Sequence, residues 1–213
     1  MWSYSIVKRF SDCILATIIL IMILPVLLFI IVFIALESRG NIFYKQERIG
    51  KNFIPFTLFK FRTMYSNSDS SKLTVGMRDP RITGVGYFLR KYKLDELPQF
   101  LNVIRGEMSI VGPRPEVREH TELFKTDYKD ILKVKPGLTD YGSLQFANEN
   151  YLLGLFPDPH DAYINYIMPK KIKLNKRYIR DMSLITDVKL MIRTILRLFF
   201  DKNYYATMEF YPS

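Results

Sequence analysis

The chain has a single cysteine, Cys13, and only two histidines, His120 and His160. A lone thiol excludes an intramolecular disulfide, and no neighbouring cysteine or histidine completes a zinc cluster. The histidines stand far apart in sequence, so each reads as a surface or packing residue rather than a catalytic base. Acidic residues are also scarce, with 21 Asp and Glu against 31 Lys and Arg, leaving a net charge of +10. That excess points to anionic partners without choosing among nucleic acid, acidic lipid and nucleotide phosphate. No Gly/Ser linker, internal repeat or low-complexity tract divides the chain. Its 213 residues, 48% of them apolar, exclude a disordered or collagen-like polymer and suit one domain with a sizeable core.

Ile14 to Ala35 contains no charged residue, and Thr17 is its one clearly polar side chain. At about 1.5 Å per residue this run can cross a hydrocarbon core of roughly 30 Å. It lacks the polar stripe of a soluble core helix, so it reads as membrane-embedded. The run is too long for a cleaved signal peptide, and no small-x-small site precedes Glu37-Ser38-Arg39. Lys8 and Arg9 lie before it and Arg39, Lys45, Arg48 and Lys51 after it, so the positive-inside rule gives no orientation. Pro25, near the middle, removes an intrahelical hydrogen bond and predicts a kink. Two readings fit. The helix dips into the bilayer and returns, with both basic flanks on the cytoplasmic leaflet, or it is a single-pass anchor with a tolerated proline.

Beyond this run, short apolar and aromatic segments from Ile42 to Met64, broken at Gly50-Lys51-Asn52, predict a hairpin or an extended pair. Tyr65 to Arg81 reads as a polar loop able to serve as a lid. Helical patterning covers Gly84 to Arg105, with a break near Leu94-Asp95, then Glu116 to Leu132, Asp161 to Ile179 with an interruption at Pro169, and Asp187 to Phe200. Ser109 to Pro115 reads as a tight loop and Pro136 to Asn150 as irregular. In the last helix Val188, Met191, Ile192, Ile195, Leu198 and Phe199 form an apolar stripe, while Lys189, Arg193 and Arg197 recur at four-residue spacing. Such a helix lies on an anionic bilayer or packs on the core with a solvated basic face.

Chemistry concentrates in Arg90 to Pro115. Asp95 and Glu96 are adjacent, so on a helix they diverge by about 100° and cannot face each other across a substrate. They suit two separate roles at one helix start. Pro98 is favourable in a first turn, which places both acids at the positive helix end, where free backbone N–H groups can receive an anion. An ionised carboxylate there can attack phosphorus, or it can simply cap the helix. Gly112-Pro113-Arg114-Pro115 is a stiff turn that fixes a planar five-donor guanidinium, suited to a phosphate or merely solvated. Lys60 and Arg62 alternate with Phe59 and Phe61, as a strand needs to set both cations on one face. That face can meet a diphosphate or solvent.

The ordered set KRFSD at Lys8 to Asp12, FYKQERIG, FKFRTM, LDELPQFLNVIRGEMSIVGPRP and KPGLTD resembles the bacterial sugar transferase family, the small monotopic phosphoglycosyl transferases acting on polyprenol phosphate. The resemblance runs from about Lys8 to about Leu196 and is most specific in LDELPQ followed by GEMSIVGPRP. It implies transfer of a sugar 1-phosphate from a nucleoside diphosphate sugar, usually a UDP-sugar, to undecaprenyl phosphate, giving undecaprenyl diphosphate-sugar and UMP. It further implies an Asp-Glu dyad with Mg²⁺, or Mn²⁺ as an alternative, and a covalent phosphosugar-aspartate intermediate. Matched here, Asp95 is nucleophile and metal ligand, and Glu96 orients or deprotonates the acceptor. Lys60, Arg62, Arg90 and Arg114 are the candidates to offset repulsion among the anionic groups. The family's reentrant helix bends at a proline, matched by Pro25, although Leu24 stands where many members have serine. KPGLTDYGSLQFANEN departs from the commoner PGITG-x-AQVNGR pattern, which leaves sugar recognition open.

The expected fold is therefore α+β, with a reentrant, proline-kinked helix followed by a compact, mainly helical cytoplasmic domain carrying short strands and amphipathic interfacial helices. Its expected segments are a membrane helix at 1–38, a catalytic domain at 39–200 and a tail at 201–213. The resemblance places it at the bacterial inner membrane with the catalytic domain on the cytoplasmic face, in synthesis of exopolysaccharide, capsule, O-antigen or a glycoprotein glycan. Expected partners are the UDP-sugar, undecaprenyl phosphate and anionic phospholipid, with a homo-oligomer or downstream glycosyltransferases as further ones. A non-catalytic membrane-anchored adaptor is the alternative. Nucleic acid is disfavoured because no recognition motif is present.

Overall fold

The computed structural model describes residues 2–66 and 79–200. The lid expected within Tyr65 to Arg81 falls largely outside the described residues, and the tail at 201–213 falls wholly outside them. Helix α1, Trp2–Glu37, holds the apolar run and includes Pro25; it is long and apolar enough to cross a membrane. Along one stripe Asp12, Ala16, Ile30 and Ile34 are buried, while Ile18, Ile21, Met22, Leu24, Val26, Phe29, Val32 and Phe33 are exposed. A 3.6-residue period with large apolar side chains around the remaining circumference leaves an oily outer face.

Strand β1, Phe43–Ile49, pairs antiparallel with β2, Pro55–Phe61, in the register Phe43↔Phe61 and Tyr44↔Lys60. The turn between them, Lys51–Phe53, places Asn52 at φ 57°, a left-handed conformation that asparagine tolerates. This is the expected hairpin, and Leu58 and Phe61 turn into the core.

Helix α2, Gly84–Lys91, is capped by Thr83, whose side chain accepts from Gly86 N. A 3₁₀ turn at Leu94–Glu96 and helix α3, Gln99–Arg105, follow; α3 stops at Gly106, φ 84°. The break expected near Leu94-Asp95 is therefore present. Strand β3, Ser109–Val111, then runs parallel to β4, Gly137–Thr139. Thus the segment read as a tight loop begins as a strand, and the stretch read as irregular holds β4 and helix α6, Tyr141–Gln145. The helix expected over Glu116 to Leu132 is two, α4 at Arg118–Leu123 and α5 at Lys125–Ile131, because Phe124 leaves helical geometry at φ −108°, ψ 36°. Short helices α7, Glu149–Leu153, and α8, Pro159–Ala162, lead to a π-helical turn at Tyr163–Ile167 and then α9, Met168–Asp181. The interruption expected at Pro169 lies just ahead of it, since proline is tolerated in a first turn, where no intrahelical donor is needed.

Helix α10, Leu184–Phe200, buries Leu190 and exposes Val188, Ile192, Ile195 and Leu198. The apolar stripe read from the sequence is thus largely turned outward, as an interfacial helix requires. Among the described residues three clusters form the core. One joins Ala16 of α1 to Leu58, Val103, Met108, Val111, Tyr178 and Leu190. A second joins Ile30 and Ile34 of α1 to Phe61 and Leu89, and a third gathers α5, α7 and α9 around Tyr128, Leu153 and Met168. Each such side chain contributes about 1.5 to 3 kcal/mol by leaving water, so α1 is anchored near both of its ends. Polar contacts reinforce its start: Lys8 meets Asp187 at 2.6 Å, and Asp12 accepts from Ser109 Oγ at 2.6 Å.

Candidate active site

The two acids sit on the 3₁₀ turn between α2 and α3. Lys93, at φ 57°, reverses the chain just before them. Asp95 is buried, 8% exposed, and its Oδ1, buried as well, has no hydrogen-bond partner among the described residues. Glu96 differs sharply. Lys60 Nζ, on β2, donates to its Oε1 at 3.0 Å, and Arg114 Nη2, from the loop after β3, donates to the same oxygen.

Burial works against ionisation of both acids, and only one is fully compensated. For Glu96, Arg114 and then Lys60 overcome the burial and hold the carboxyl well below its usual range. For Asp95 burial prevails over the attraction of Lys60, and the neighbouring Glu96 charge adds to it, so its pKa lies above the usual aspartate value. Two adjacent carboxyls are thereby driven apart in acidity, the pattern that separates chemical roles. Glu96 is engaged in holding two cations, whereas Asp95 keeps a free oxygen. Lys60 and Arg114 side chains remain 21% and 30% exposed, so their other N–H groups stay open to an anionic ligand.

Arg90, at the end of α2, donates Nε to Thr63 Oγ1 at 2.8 Å and feels Asp95 electrostatically. Arg62 lies elsewhere. Its Nη1 donates to Arg39 O at 3.0 Å and its Nη2 to Ser38 O at 2.6 Å, at the C-terminal end of α1. The structure thus gathers Lys60, Arg90 and Arg114 around the dyad and sets Arg62 against the segment just past α1, where it satisfies the carbonyls of Ser38 and Arg39. Pro25, in the exposed middle of α1, is apart from all of them.

A second buried group escaped the sequence reading. Glu116, directly after Gly112-Pro113-Arg114-Pro115, accepts from Lys171 Nζ at 2.7 Å and from the Tyr163 hydroxyl at 3.1 Å. Lys171 also reaches Glu149 at 3.2 Å, Arg48 lies 3.7 Å from Glu116, and His120 Nδ1 lies 3.4 Å from it. Burial pushes Glu116 up, but Lys171 and the His120 contact outweigh this and hold it far below the usual range. The group fixes the root of the loop that carries Arg114. Its other end is fixed where Gly112 meets Gly137, since a Cβ on Gly137 would lie 2.1 Å from Gly112 N. The only sequence signal was a lone acid beside a stiff loop. His120 is a packing residue, as expected, with its ring 4.8 Å from that of Tyr163.

Among the described residues no three Asp, Glu, His or Cys side chains converge on a metal position. Magnesium needs no such cage, because it binds through one or two carboxylates while substrate phosphates and waters complete its shell. Asp95, with its unpartnered oxygen, fits that use.

The site therefore sets an unpartnered carboxylate beside one clamped by two cations, in a domain packed on a long apolar helix. The chain belongs to the bacterial sugar transferase family, whose model matches residues 3–201. It is 36% identical over 94% of its length to UDP-glucose:undecaprenyl-phosphate glucose-1-phosphate transferase of Escherichia coli, and spans 42% of that protein. It is 34% identical to the exopolysaccharide production protein ExoY of Sinorhizobium fredii, over 88% of this chain and 83% of the relative. A third relative, 35% identical over 90% of this chain and 43% of its own length, is the UDP-N-acetylgalactosamine-undecaprenyl-phosphate N-acetylgalactosaminephosphotransferase of Aeromonas hydrophila. The chain thus spans about two fifths of the length of the first of these relatives.

Proposed function

We propose that this protein transfers a sugar 1-phosphate from a UDP-sugar to undecaprenyl phosphate, in exopolysaccharide or related surface-glycan synthesis. The observation that carries the proposal is the unequal dyad: Asp95 with a buried, unpartnered carboxylate oxygen, next to Glu96 held by Lys60 and Arg114. Relatives named for glucose and for N-acetylgalactosamine transfer to the same lipid support the substrate classes and leave the sugar open.

In the first step Asp95 attacks the phosphorus that bears the sugar. The bond from that phosphorus to the bridging oxygen breaks, and UMP leaves with the electron pair. In the second step an oxygen of undecaprenyl phosphate attacks the same phosphorus, and the carboxylate of Asp95 departs to restore the enzyme. Lys60 and Arg114 offset the charge gathering on the phosphoryl oxygens, and Glu96 holds both cations in place. Asp95 would be the protein ligand for Mg²⁺, which would supply neutralisation of phosphate charge when bound. Dividing the reaction lets a water-soluble donor react and release UMP before the lipid acceptor enters the same site.

We further infer that α1 is reentrant, kinked at Pro25, and that the catalytic domain lies on the cytoplasmic face of the inner membrane. Ala16 on one side of Pro25 and Ile30 and Ile34 on the other pack on the same domain, which supports both ends of α1 returning to one leaflet.

The test incubates purified protein in nanodiscs with a panel of UDP-sugars and Mg²⁺, with and without undecaprenyl phosphate, and measures UMP and intact protein mass. Lipid-dependent UMP release, a sugar-phosphate adduct absent from Asp95→Asn, and loss of turnover with EDTA that Mg²⁺ reverses are the expected results. A folded protein without turnover on any donor favours the adaptor reading.

A further inference from the structure

The dyad lies between α2 and α3, and the outer ends of those two helices are both held by α1. Near its start, Arg9 donates Nη1 to Val103 O at 2.5 Å and Nη2 to Ile104 O at 2.9 Å, carbonyls in the last turn of α3. At its end, Glu37 accepts from Val85 N with both carboxylate oxygens, at 3.1 and 3.0 Å, in the first turn of α2. Each charge matches the helix end it meets, cation at the C-terminus and anion at the N-terminus. Both contact points also lie against a glycine. A Cβ on Gly84 would lie 2.9 Å from Glu37 Oε1, and one on Gly106, itself at φ 84°, would lie 3.0 Å from Arg9 Nη2.

Helix α3 is tied in turn to the strand that carries Lys60. Asn102, fully buried, donates Nδ2 to Thr57 O at 2.7 Å and accepts from Phe59 N at 3.2 Å. A shift of α3 therefore moves the dyad and disturbs the strand whose lysine holds Glu96.

We infer that α1 acts as a clamp on the catalytic segment, with Arg9 and Glu37 as positioning residues for Asp95 and Glu96. The two grips sit on one helix whose middle presents apolar surface, so the clamp's span follows the conformation that α1 adopts in the bilayer. Its kinetic consequence rests on the proposed reaction; its mechanical consequence does not.

The test uses the full chain in nanodiscs as wild type, Arg9→Gln, Arg9→Lys and Glu37→Gln. Steady-state UMP release should show kcat lowered about 10- to 100-fold in both glutamine variants, the scale set by small misplacements of reacting groups. KM for the UDP-sugar should stay within about twofold, since neither residue is assigned to substrate binding. Arg9→Lys should recover part of kcat, because it keeps the charge and loses the fork. Amide hydrogen exchange at Leu94 to Leu97 should quicken by about tenfold in the glutamine variants, while the amides of β1 and β2 keep wild-type protection. Wild-type exchange at Leu94 to Leu97 in every variant overturns the clamp, as does loss of protection spread evenly over the domain. A silent wild type overturns the reaction, and the clamp is then judged on exchange alone.

Discussion

Replacing Lys171 by methionine isolates the electrostatic support of the Arg114 loop. Methionine keeps an unbranched stem of similar size, so the packing of α9 is nearly conserved and the charge is what disappears. The Lys171 and Glu116 side chains are only 7% and 5% exposed, and the substitution removes contacts of 2.7 Å to Glu116, 3.2 Å to Glu149 and 3.1 Å to the Tyr163 hydroxyl. Breaking a buried pair by removing one partner costs about 3 to 5 kcal/mol, because the remaining charge is left without compensation. Arg48, 3.7 Å from Glu116, offsets part of this, which favours the lower end, about 3 kcal/mol. At roughly 2 to 4 °C per kcal/mol for a chain of this size, the melting temperature should fall by ~6 to 12 °C.

The assay is thermal unfolding in nanodiscs at neutral pH, repeated for the double variant Lys171→Met with Glu116→Gln. Neutralising the orphaned acid should recover at least about half of the loss, which a contact made only through packing would not do. A fall of less than about 2 °C in the single variant, or a double variant no more stable than the single, refutes the reasoning. The pH dependence follows from the directions of the two shifts. Glu116 is depressed, so its stabilisation is present above the unfolded carboxylate value, about 4.3, and is lost as pH falls toward the folded value. Lys171 is raised, so its contribution is complete below the unfolded lysine value and is lost as pH rises through the folded one. The gap between wild type and Lys171→Met is thus widest near neutrality.

Lys60→Met removes the leading influence that lowers the Asp95 pKa against its burial. The acid limb of kcat/KM for UMP release should move to higher pH, and an unmoved limb would show that another group sets it. Arg62→Lys should lower stability by about 1 to 3 kcal/mol in urea titrations, because the carbonyls of Ser38 and Arg39 lose a planar donor, while KM for the donor sugar stays unchanged. A rise of about tenfold in KM at wild-type stability would instead make Arg62 a phosphate ligand. Asn102→Ala should cost about 2 kcal/mol, since Phe59 N and Thr57 O lose their side-chain partner in a buried position.

Features carried by periodicity were legible. The β1–β2 hairpin, the break between α2 and α3, and the apolar stripe of α10 each follow from residues close in sequence. What local pattern missed was settled by packing. Phe124 ends α4 because it packs against the cluster around Tyr128, and no proline or glycine marks the spot. The π-helical turn before Pro169 buries Tyr163 and Ile167 together with Met168, a demand that a helical period cannot announce. Arg62 shows the converse. Its alternation with Lys60 predicts a shared strand face, yet β2 ends at Phe61, and the Arg62 guanidinium donates to the carbonyls of Ser38 and Arg39 just past α1.

The dyad marks where legibility stops for a physical reason. Asp95 and Glu96 differ by one methylene and stand side by side, so no local property of the sequence assigns one to attack and the other to support. In the proposed reaction the division of roles rests on two cations distant along the chain, Lys60 on the hairpin and Arg114 on the loop rooted by Glu116 and Lys171. Both converge on one oxygen of Glu96 and hold that acid ionised, while burial, with the Glu96 charge added, raises the pKa of Asp95. Asp95 is left with the higher basicity and an unpartnered oxygen, which suit the attack proposed for it. Exchanging the two residues, Asp95→Glu with Glu96→Asp, would conserve composition and total charge, yet it would draw the clamped carboxylate back by a methylene from Lys60 and Arg114. Turnover should therefore collapse in the exchanged enzyme; retention within about tenfold would mean that the cations follow the acid, and that adjacency alone suffices.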